Sequence, residues 1–501
     1  MSTTAPLATG PLTAAAPAPA RHLAFVGGTF TETAHPREIR SPASGHVVAL
    51  VFDADAPLLE HAITAADAAF RPFRATSRFL RSRLLAEMAR LLGERRAQFV
   101  SSIVAEAGKP ITLADAEVTR AITTFTIAAE EAKRYSGELL PIDIDPAGRA
   151  YGPATSMLVP RGPVLAITPF NFPLNLVAHK VAPALAVGAP ILVKPAPQAP
   201  GPSHLLADLF SAARAAVADA RESIPAAALQ VVSASNEVAS RAVTDDRLAT
   251  LSFTGSAHVG WTLQSLARGK KVILELGGDA AVIVHHDADL ARAAARCAFG
   301  AFAYAGQVCI SVQRILVHER VYTPFRELFL AEVGKLRSGD PSDPITLSGP
   351  VIDARAADRV MALIEEAREG GGVVATGGDR RGNLITPTVV ESPPPTSALA
   401  REEAFGPVAG LQPYADLDEA IAEVNRSRYG LQAGVFTDSL AVVRKATAEL
   451  DVGGILVNEI PTYRADHAPY GGTKASGLGR EGVRYAMEEY SERKTIIEWH
   501  G

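Results

Sequence analysis

A chain of 501 residues with 48 % hydrophobic content is longer than one ordinary domain and apolar enough to fill more than one core. Its 49 basic and 54 acidic residues leave a formal charge of -5 with no dense Lys/Arg block, which argues against nucleic acid as a partner. Two cysteines rule out a disulfide framework and fit a reducing, cytoplasmic setting.

Residues 1–21, rich in Ala, Pro and Thr, have neither the basic start nor the unbroken apolar run of a signal peptide and are read as a disordered leader. From His22 the pattern predicts a short hairpin region, then long amphipathic helices from Pro57 to about Ala107. A break at Gly108-Lys109-Pro110 follows, and another helix from Leu113 to about Tyr135. Leu139 to Val159 is strand-like. Between Pro163 and Val284, short apolar strands (Val164 to Ile167, Ile191 to Val193, Leu229 to Val232, Thr250 to Phe253) alternate with helical stretches, the signature of a parallel α/β sheet. A second α/β set runs from Ala280 to Val457, and Thr495 to the end is strand-like again. The fold class expected is therefore α/β. No stretch of eighteen or more residues is free of polar or charged interruption, so no membrane-spanning helix is expected.

Three segments carry chemistry. The run Phe302-Ala303-Tyr304-Ala305-Gly306-Gln307-Val308-Cys309 ends in a cysteine, and Gly306 allows a backbone conformation closed to other residues, the kind of loop that presents a thiol to a pocket. Cys297, between Arg296 and Ala298, reads as a packed core residue. Upstream, in Leu274-Glu275-Leu276-Gly277-Gly278, a lone carboxylate interrupts an apolar stretch. Burial there raises its pKa into the range of a general base. Asn171, in Ile167-Thr168-Pro169-Phe170-Asn171-Phe172-Pro173, offers an amide donor on a proline-bracketed turn. Alone it is an ordinary turn asparagine; beside a thiol nucleophile it is an oxyanion donor.

In order along the chain, from about Phe25 to Trp499, these segments resemble the aldehyde dehydrogenase superfamily. So do Val193-Lys194-Pro195, Phe253-Thr254-Gly255-Ser256, Glu403-Ala404-Phe405-Gly406-Pro407 and Pro469-Tyr470-Gly471-Gly472-Thr473-Lys474-Ala475-Ser476-Gly477. The resemblance implies two Rossmann-like parallel-sheet domains plus a small β oligomerisation flap. It places a cofactor domain at 22–138 and 160–274, a catalytic domain at 275–483 and the flap at 139–159 and 484–501. It also implies a homodimer or homotetramer. By analogy Cys309 is the nucleophile, Glu275 the base, and Asn171 with the Cys309 backbone amide the oxyanion site.

A thiolate that adds to an aldehyde gives a thiohemiacetal whose hydride needs an acceptor, and no His or Cys spacing here suits a metal site. NAD or NADP is the expected cofactor, and the resemblance implies that Ile167, Thr168, Pro169, Phe170, Lys194, Gly255, Ser256, Leu276, Gly277, Glu403 and Phe405 hold it. Where many NAD-preferring relatives have a glutamate three positions after the lysine, this chain has Pro197, which leaves NADP open. Gly477-Leu478-Gly479-Arg480-Glu481-Gly482 matches GxGxxG by letter but lies too close to the chain end to open a dinucleotide fold. It reads as a glycine-rich connection near the catalytic entrance.

The resemblance implies a small polar aldehyde or semialdehyde as substrate and puts Arg120, His179, Arg464 and His467 near the pocket, where they would meet an anionic tail. The bland alternative is a loop ion pair between Arg464 and Asp466, with Arg120 covering a helix face. Val308, directly before the nucleophile, has no charge for a phosphate. A CoA-acylating enzyme, a cysteine hydrolase and a non-catalytic protein on the same scaffold are the rival readings; Glu275 favours hydrolysis over CoA.

Overall fold

The structure, a computed structural model, describes residues 18–34 and 36–500; the leader expected at 1–21 lies mostly outside them. Its last residues are not leader at all, since Ala20–His22 pairs in parallel with Val47–Phe52.

The first large sheet has eight strands in the spatial order Gly477–Leu478, Lys271–Glu275, Thr250–Thr254, Val164–Ile167, Ile191–Lys194, Leu229–Val231, Ala24–Val26 and Thr29–Thr31. Its five central strands run parallel, and both ends are closed by antiparallel additions. The central strands are apolar on both faces because helices cover both. One layer is Asn175–Val187 and Gly201–Val217, backed by Arg78–Glu94 and Ile111–Arg134. Leu59 and Ile63 of Ala56–Arg74 pack on the opposite face. The helical block expected from Pro57 to Ala107 is three helices, Ala56–Arg74, Arg78–Glu94 and Arg96–Ala107. Asp55 and Ser77 cap the first two through hydrogen bonds to Leu58 N and Leu80 N. Gly108 ends the third in the left-handed conformation that a helix C-terminus favours.

The second sheet has seven strands, ordered Val373–Thr376, Thr388–Glu391, Val408–Tyr414, Arg314–His318, Ala281–Val284, Gln432–Phe436 and Gly454–Val457. All its pairings are parallel except that of the first two strands. Cys297 lies in Leu290–Phe302, fully buried against this sheet, as its setting suggested. A three-stranded antiparallel sheet, Ser491–Ile496, Ala154–Pro160 and Glu138–Leu140, stands apart from both. It exposes Leu139, Ile144, Met157, Ile496, Ile497 and Trp499 on or beside its strands. Among the described residues no helix is long and apolar enough to cross a membrane.

Candidate active site

Cys309 sits on the connection between Leu290–Phe302 and Arg314–His318, and the path to it is forced. Tyr304, Ala305 and Gly306 follow one another in the left-handed region, with φ of 54°, 53° and 66°. For the two non-glycines this costs on the order of 1–2 kcal/mol each, so other contacts must hold them. Tyr304 is buried, donates its hydroxyl to Ala107 O at 3.1 Å and its amide to Leu347 O at 2.9 Å. The Gln307 side chain accepts from Ile352 N at 2.9 Å and donates to Pro350 O at 3.3 Å.

The same scaffold carries Asn171. Lys109, fully buried, pairs with Glu117, donates to Asn171 O at 2.7 Å and lies 3.5 Å from the centroid of Phe172 and 4.7 Å from that of Tyr304. One buried cation thus ties the asparagine turn to the cysteine loop. Asn171 Nδ2 donates to Gln307 O at 2.9 Å, and its Oδ1 accepts from Phe172 N at 3.1 Å. That pairing fixes which way the amide points and leaves one N–H unused, two residues from Cys309.

The half-buried Cys309 Sγ lies 3.2 Å from Tyr470 Oη. Burial pushes the thiol up to about 11, while the Tyr470 hydroxyl pulls it down. Glu275 ends the strand Lys271–Glu275, 3 % exposed, and neither of its carboxylate oxygens has a hydrogen-bond partner. Gly471 approaches so closely that a Cβ there would lie 2.9 Å from Glu275 Oε1. Burial, reinforced by the charge of Glu481, holds the Glu275 carboxyl well above the usual carboxylate range. The charges of Glu275 and Arg464 both bear on Cys309, so carboxyl and thiol share one enclosure.

Behind them lies a buried ion network. Glu481 accepts from Lys180 Nζ at 2.8 Å and from Arg464 at 3.2 Å. Its burial is outweighed by Lys180, Arg464 and His179, which bring its carboxyl down to about 2. Arg464 lies 3.9 Å above the Tyr470 ring, and its Nε–H is buried without a partner. Asp466 accepts two hydrogen bonds from Arg120, at 3.1 and 2.6 Å, and meets His179 Nε2 at 2.9 Å. Burial lowers His179 to about 4, so it is neutral at pH 7. The expected Arg464–Asp466 loop pair is absent from these contacts: Arg464 reaches Glu481, and Arg120 takes Asp466. His467 is exposed and outside this network.

The cofactor candidates line the C-terminal ends of the first sheet's parallel strands. Ile167 ends its strand, Thr168 N donates to Lys194 O at 3.2 Å, and Thr168 Oγ1 is buried without a partner. Phe170, after Pro169, packs edge-on against Phe405, centroids 5.9 Å apart. Gly255 and Ser256 lead into Ala257–Leu266, where Ser256 is the N-cap yet makes no side-chain capping bond, leaving its hydroxyl and the helix amides for an anion. Leu276 N donates to Ser476 O at 3.0 Å. Gly277 lets the buried Glu403 carboxylate approach to 2.1 Å of where a Cβ would be, and burial raises Glu403 to about 7. Lys194 is 9 % exposed at its strand end, and Arg37, chelating Asp53, donates to Pro197 O at 2.8 Å. These unused donors fit a dinucleotide.

Three residues of this site escaped the sequence: Tyr470, Lys180 and Glu481. Lys180 had a signal, being the only Lys, Arg, Asp or Glu in the fully buried helix Asn175–Val187, the logic that singled out Glu275. Glu481 hid inside the misleading glycine motif. Gly477–Leu478 is a short strand antiparallel to Leu274–Glu275, and Tyr470 and Glu481 pair through their backbones. Asp279, unexplained by sequence, accepts from Ser427 at 2.8 Å and faces Arg314 at 3.3 Å, bracing the Gly277-Gly278 loop.

A thiol, a raised carboxyl, an amide donor and a helix start with free amides, carried on two α/β sheets, fit aldehyde oxidation through sulfur. The aldehyde dehydrogenase family profile matches residues 30–496, and the chain belongs to that family. It is 40 % identical over 474 residues to a 3-sulfolactaldehyde dehydrogenase of Priestia aryabhattai, covering 94 % of this chain and 97 % of that protein. Among solved structures it is similar to aldehyde dehydrogenase 21 of Physcomitrella patens in complex with the reaction product succinate. That match has a TM-score of 0.92 and 38 % identity, covering 96 % of this chain and 99 % of the other. It is also similar to the glyceraldehyde-3-phosphate dehydrogenase GapN of Methanocaldococcus jannaschii complexed with NADP, with a TM-score of 0.88 and 35 % identity over 92 % of this chain and 98 % of that one. The protein is an NAD(P)-dependent aldehyde dehydrogenase.

Proposed function

We propose that this enzyme oxidises a short aldehyde bearing a carboxylate or sulfonate tail to the corresponding acid. The observation that carries the tail is the buried, unpartnered Nε–H of Arg464 beside the proposed nucleophile, within a cluster where Arg120 pairs with Asp466, and Lys180 and Arg464 with Glu481. An anionic oxygen satisfies that donor. Two of the similar proteins, named for sulfolactaldehyde and solved with succinate, support the reading. His179 orients Asp466; His467 is dropped from the pocket.

In the reaction Cys309 attacks the aldehyde carbon as thiolate. The oxygen that becomes negative is held by the free Nδ2–H of Asn171 and the Cys309 amide. A nicotinamide cofactor, when bound, supplies the hydride acceptor. Ile167, Thr168, Pro169 and Phe170 border its path, Gly255 and Ser256 hold its pyrophosphate, Lys194 its adenosine ribose, and Glu403 its nicotinamide ribose, with Phe405, Leu276 and Gly277 shaping the nicotinamide end. The thioester left on Cys309 is then cleaved by water whose proton goes to ionised Glu275, which has both oxygens free to take it.

We assign 22–138 and 160–274 to cofactor binding, 275–483 to catalysis, and 139–159 with 484–501 to assembly. The exposed apolar side chains of the small sheet support a homodimer or homotetramer. A thiol nucleophile that must stay reduced supports a cytoplasmic location. The test is cofactor reduction at 340 nm with NAD and NADP over neutral, carboxylated, sulfonated and phosphorylated aldehydes, in wild type, Cys309→Ala and Arg464→Gln. Anionic substrates are expected to lead and to lose that lead in Arg464→Gln; a neutral aldehyde that leads in both proteins overturns the assignment.

A further inference from the structure

Tyr470 is buried, 6 % exposed, and its hydroxyl has one hydrogen-bond partner among the described residues, Cys309 Sγ at 3.2 Å. Its place is fixed by its backbone and by its ring face. The backbone pairs with Glu481 in both directions, at 2.9 and 2.7 Å. The Arg464 guanidinium covers the ring face at 3.9 Å, and Arg464 is itself held by Glu481. A hydroxyl so placed can donate to sulfur or accept from a thiol, but a thiolate has no hydrogen, so once Cys309 ionises the contact persists only with the phenol donating. The cation on the ring draws electron density from the phenol and strengthens that donor. Burial keeps the phenol far above its usual pKa, so it remains an O–H throughout.

We propose that the Tyr470 hydroxyl is a catalytic group that hydrogen-bonds the Cys309 thiolate and so sets how much of the nucleophile is ionised. The inference rests on Cys309 as nucleophile and adds a second donor, on sulfur, to the Asn171 amide that serves the substrate oxygen. The proton balance is simple. The S–H proton leaves for a base, the ionised form of Glu275, whose charge bears on this sulfur. The Tyr470 proton stays on its own oxygen. As the S–C bond forms, the carbonyl electron pair moves to the aldehyde oxygen, the sulfur loses its charge and the phenol's hydrogen bond weakens.

The net effect favours reaction because the thiol sits far above ambient pH. A hydrogen bond to a charged acceptor, at about 1.5–3 kcal/mol, raises the thiolate fraction roughly 10- to 100-fold. The accompanying loss of nucleophilicity, with a Brønsted slope near 0.4–0.5, returns about half of that on a logarithmic scale. Removal of the hydroxyl is therefore expected to slow thiol reactions about 3- to 10-fold below the pKa.

The experiment is the pH profile of iodoacetamide alkylation of the full-length protein, with neither aldehyde nor cofactor present, so its outcome is independent of the substrate assignment. Cys309→Ala supplies the background, since Cys297 is fully buried. Tyr470→Phe keeps the ring under Arg464 and removes only the hydroxyl; its profile is expected to lie about 3- to 10-fold below wild type, parallel on the acid side, with Tm retained. A Tyr470→Phe protein with wild-type Tm and a wild-type profile overturns the proposal. If its Tm falls, site-specific 3-fluorotyrosine at position 470, a stronger donor of nearly the same shape, decides: faster alkylation below the thiol pKa supports the role, and an unchanged profile overturns it.

Discussion

Gly306→Ala isolates what the cysteine loop needs from its backbone. With φ at +66°, a Cβ at this position would stand 2.2 Å from Gly406 O and 2.7 Å from Gly406 C. Both atoms belong to backbone, and neither can rotate away. Restoring an ordinary contact of about 3.4 Å requires the two segments to part by about 1.2 Å. Because Cys309 lies three residues on, a displacement of that size at the nucleophile costs on the order of 100-fold in kcat. Left-handed strain adds about 1–2 kcal/mol to the loss of stability. Gly269→Ala is the matched control, since Gly269 has φ of +77° with nothing within 4 Å of its would-be Cβ: it carries the strain without the clash. The assay is steady-state cofactor reduction beside thermal melting. Gly269→Ala is expected to melt slightly earlier with full activity, and Gly306→Ala to lose both. Gly306→Ala with kcat within about threefold of wild type would refute the claim that loop geometry sets nucleophile position.

In the proposed reaction water is activated by ionised Glu275, and its raised carboxyl, caused by burial and then by Glu481, is expected to place the acid limb of turnover above that of an ordinary carboxylate. Glu481→Gln removes the opposing charge and frees Lys180 and Arg464, so the limb is expected to move to lower pH in a kcat profile. Glu275→Gln is expected to give a stoichiometric burst of reduced cofactor followed by steady turnover lower by about 100-fold or more, read by rapid mixing. Arg120→Gln removes a bidentate donor pair from Asp466 and is expected to raise KM for carboxylated or sulfonated aldehydes about tenfold while leaving a neutral aldehyde unchanged. At the adenosine end, Arg37→Ala bares Asp53 beside Lys194 and is expected to weaken binding of 2',5'-ADP about tenfold relative to 5'-AMP in calorimetry. Equal losses for both nucleotides would remove Arg37 from any role at the 2'-phosphate.

The architecture was legible where local signals and global packing agree. Alternating short apolar strands and helices between Val164 and Val284 specify a parallel sheet because strands buried on both faces cannot alternate polar residues. Gly108-Lys109-Pro110 was legible as a break, yet nothing local says that Lys109 is the buried cation joining Asn171, Glu117 and Tyr304; that depends on three segments meeting in space. Arg464 was singled out, but its partner was not, since Glu481 is brought to it by backbone pairing with Tyr470 rather than by proximity in sequence. Spacing also favoured Asp466 for Arg464, and the fold overrules it by delivering Arg120 from a helix far upstream.

The segment from Tyr470 to Glu481 touches the sulfur through its first residue, pairs antiparallel with the Glu275 strand through Gly477, and anchors Lys180 and Arg464 through its last. Its three contacts therefore depend on one another. A chimera that imports this stretch from a relative transplants thiol environment, base support and counter-ion together, whereas exchanging its residues singly leaves mismatched halves of each. Laboratory evolution of new aldehyde preference in this scaffold is better aimed at Arg120 and its surroundings, where a change of charge leaves that stretch intact.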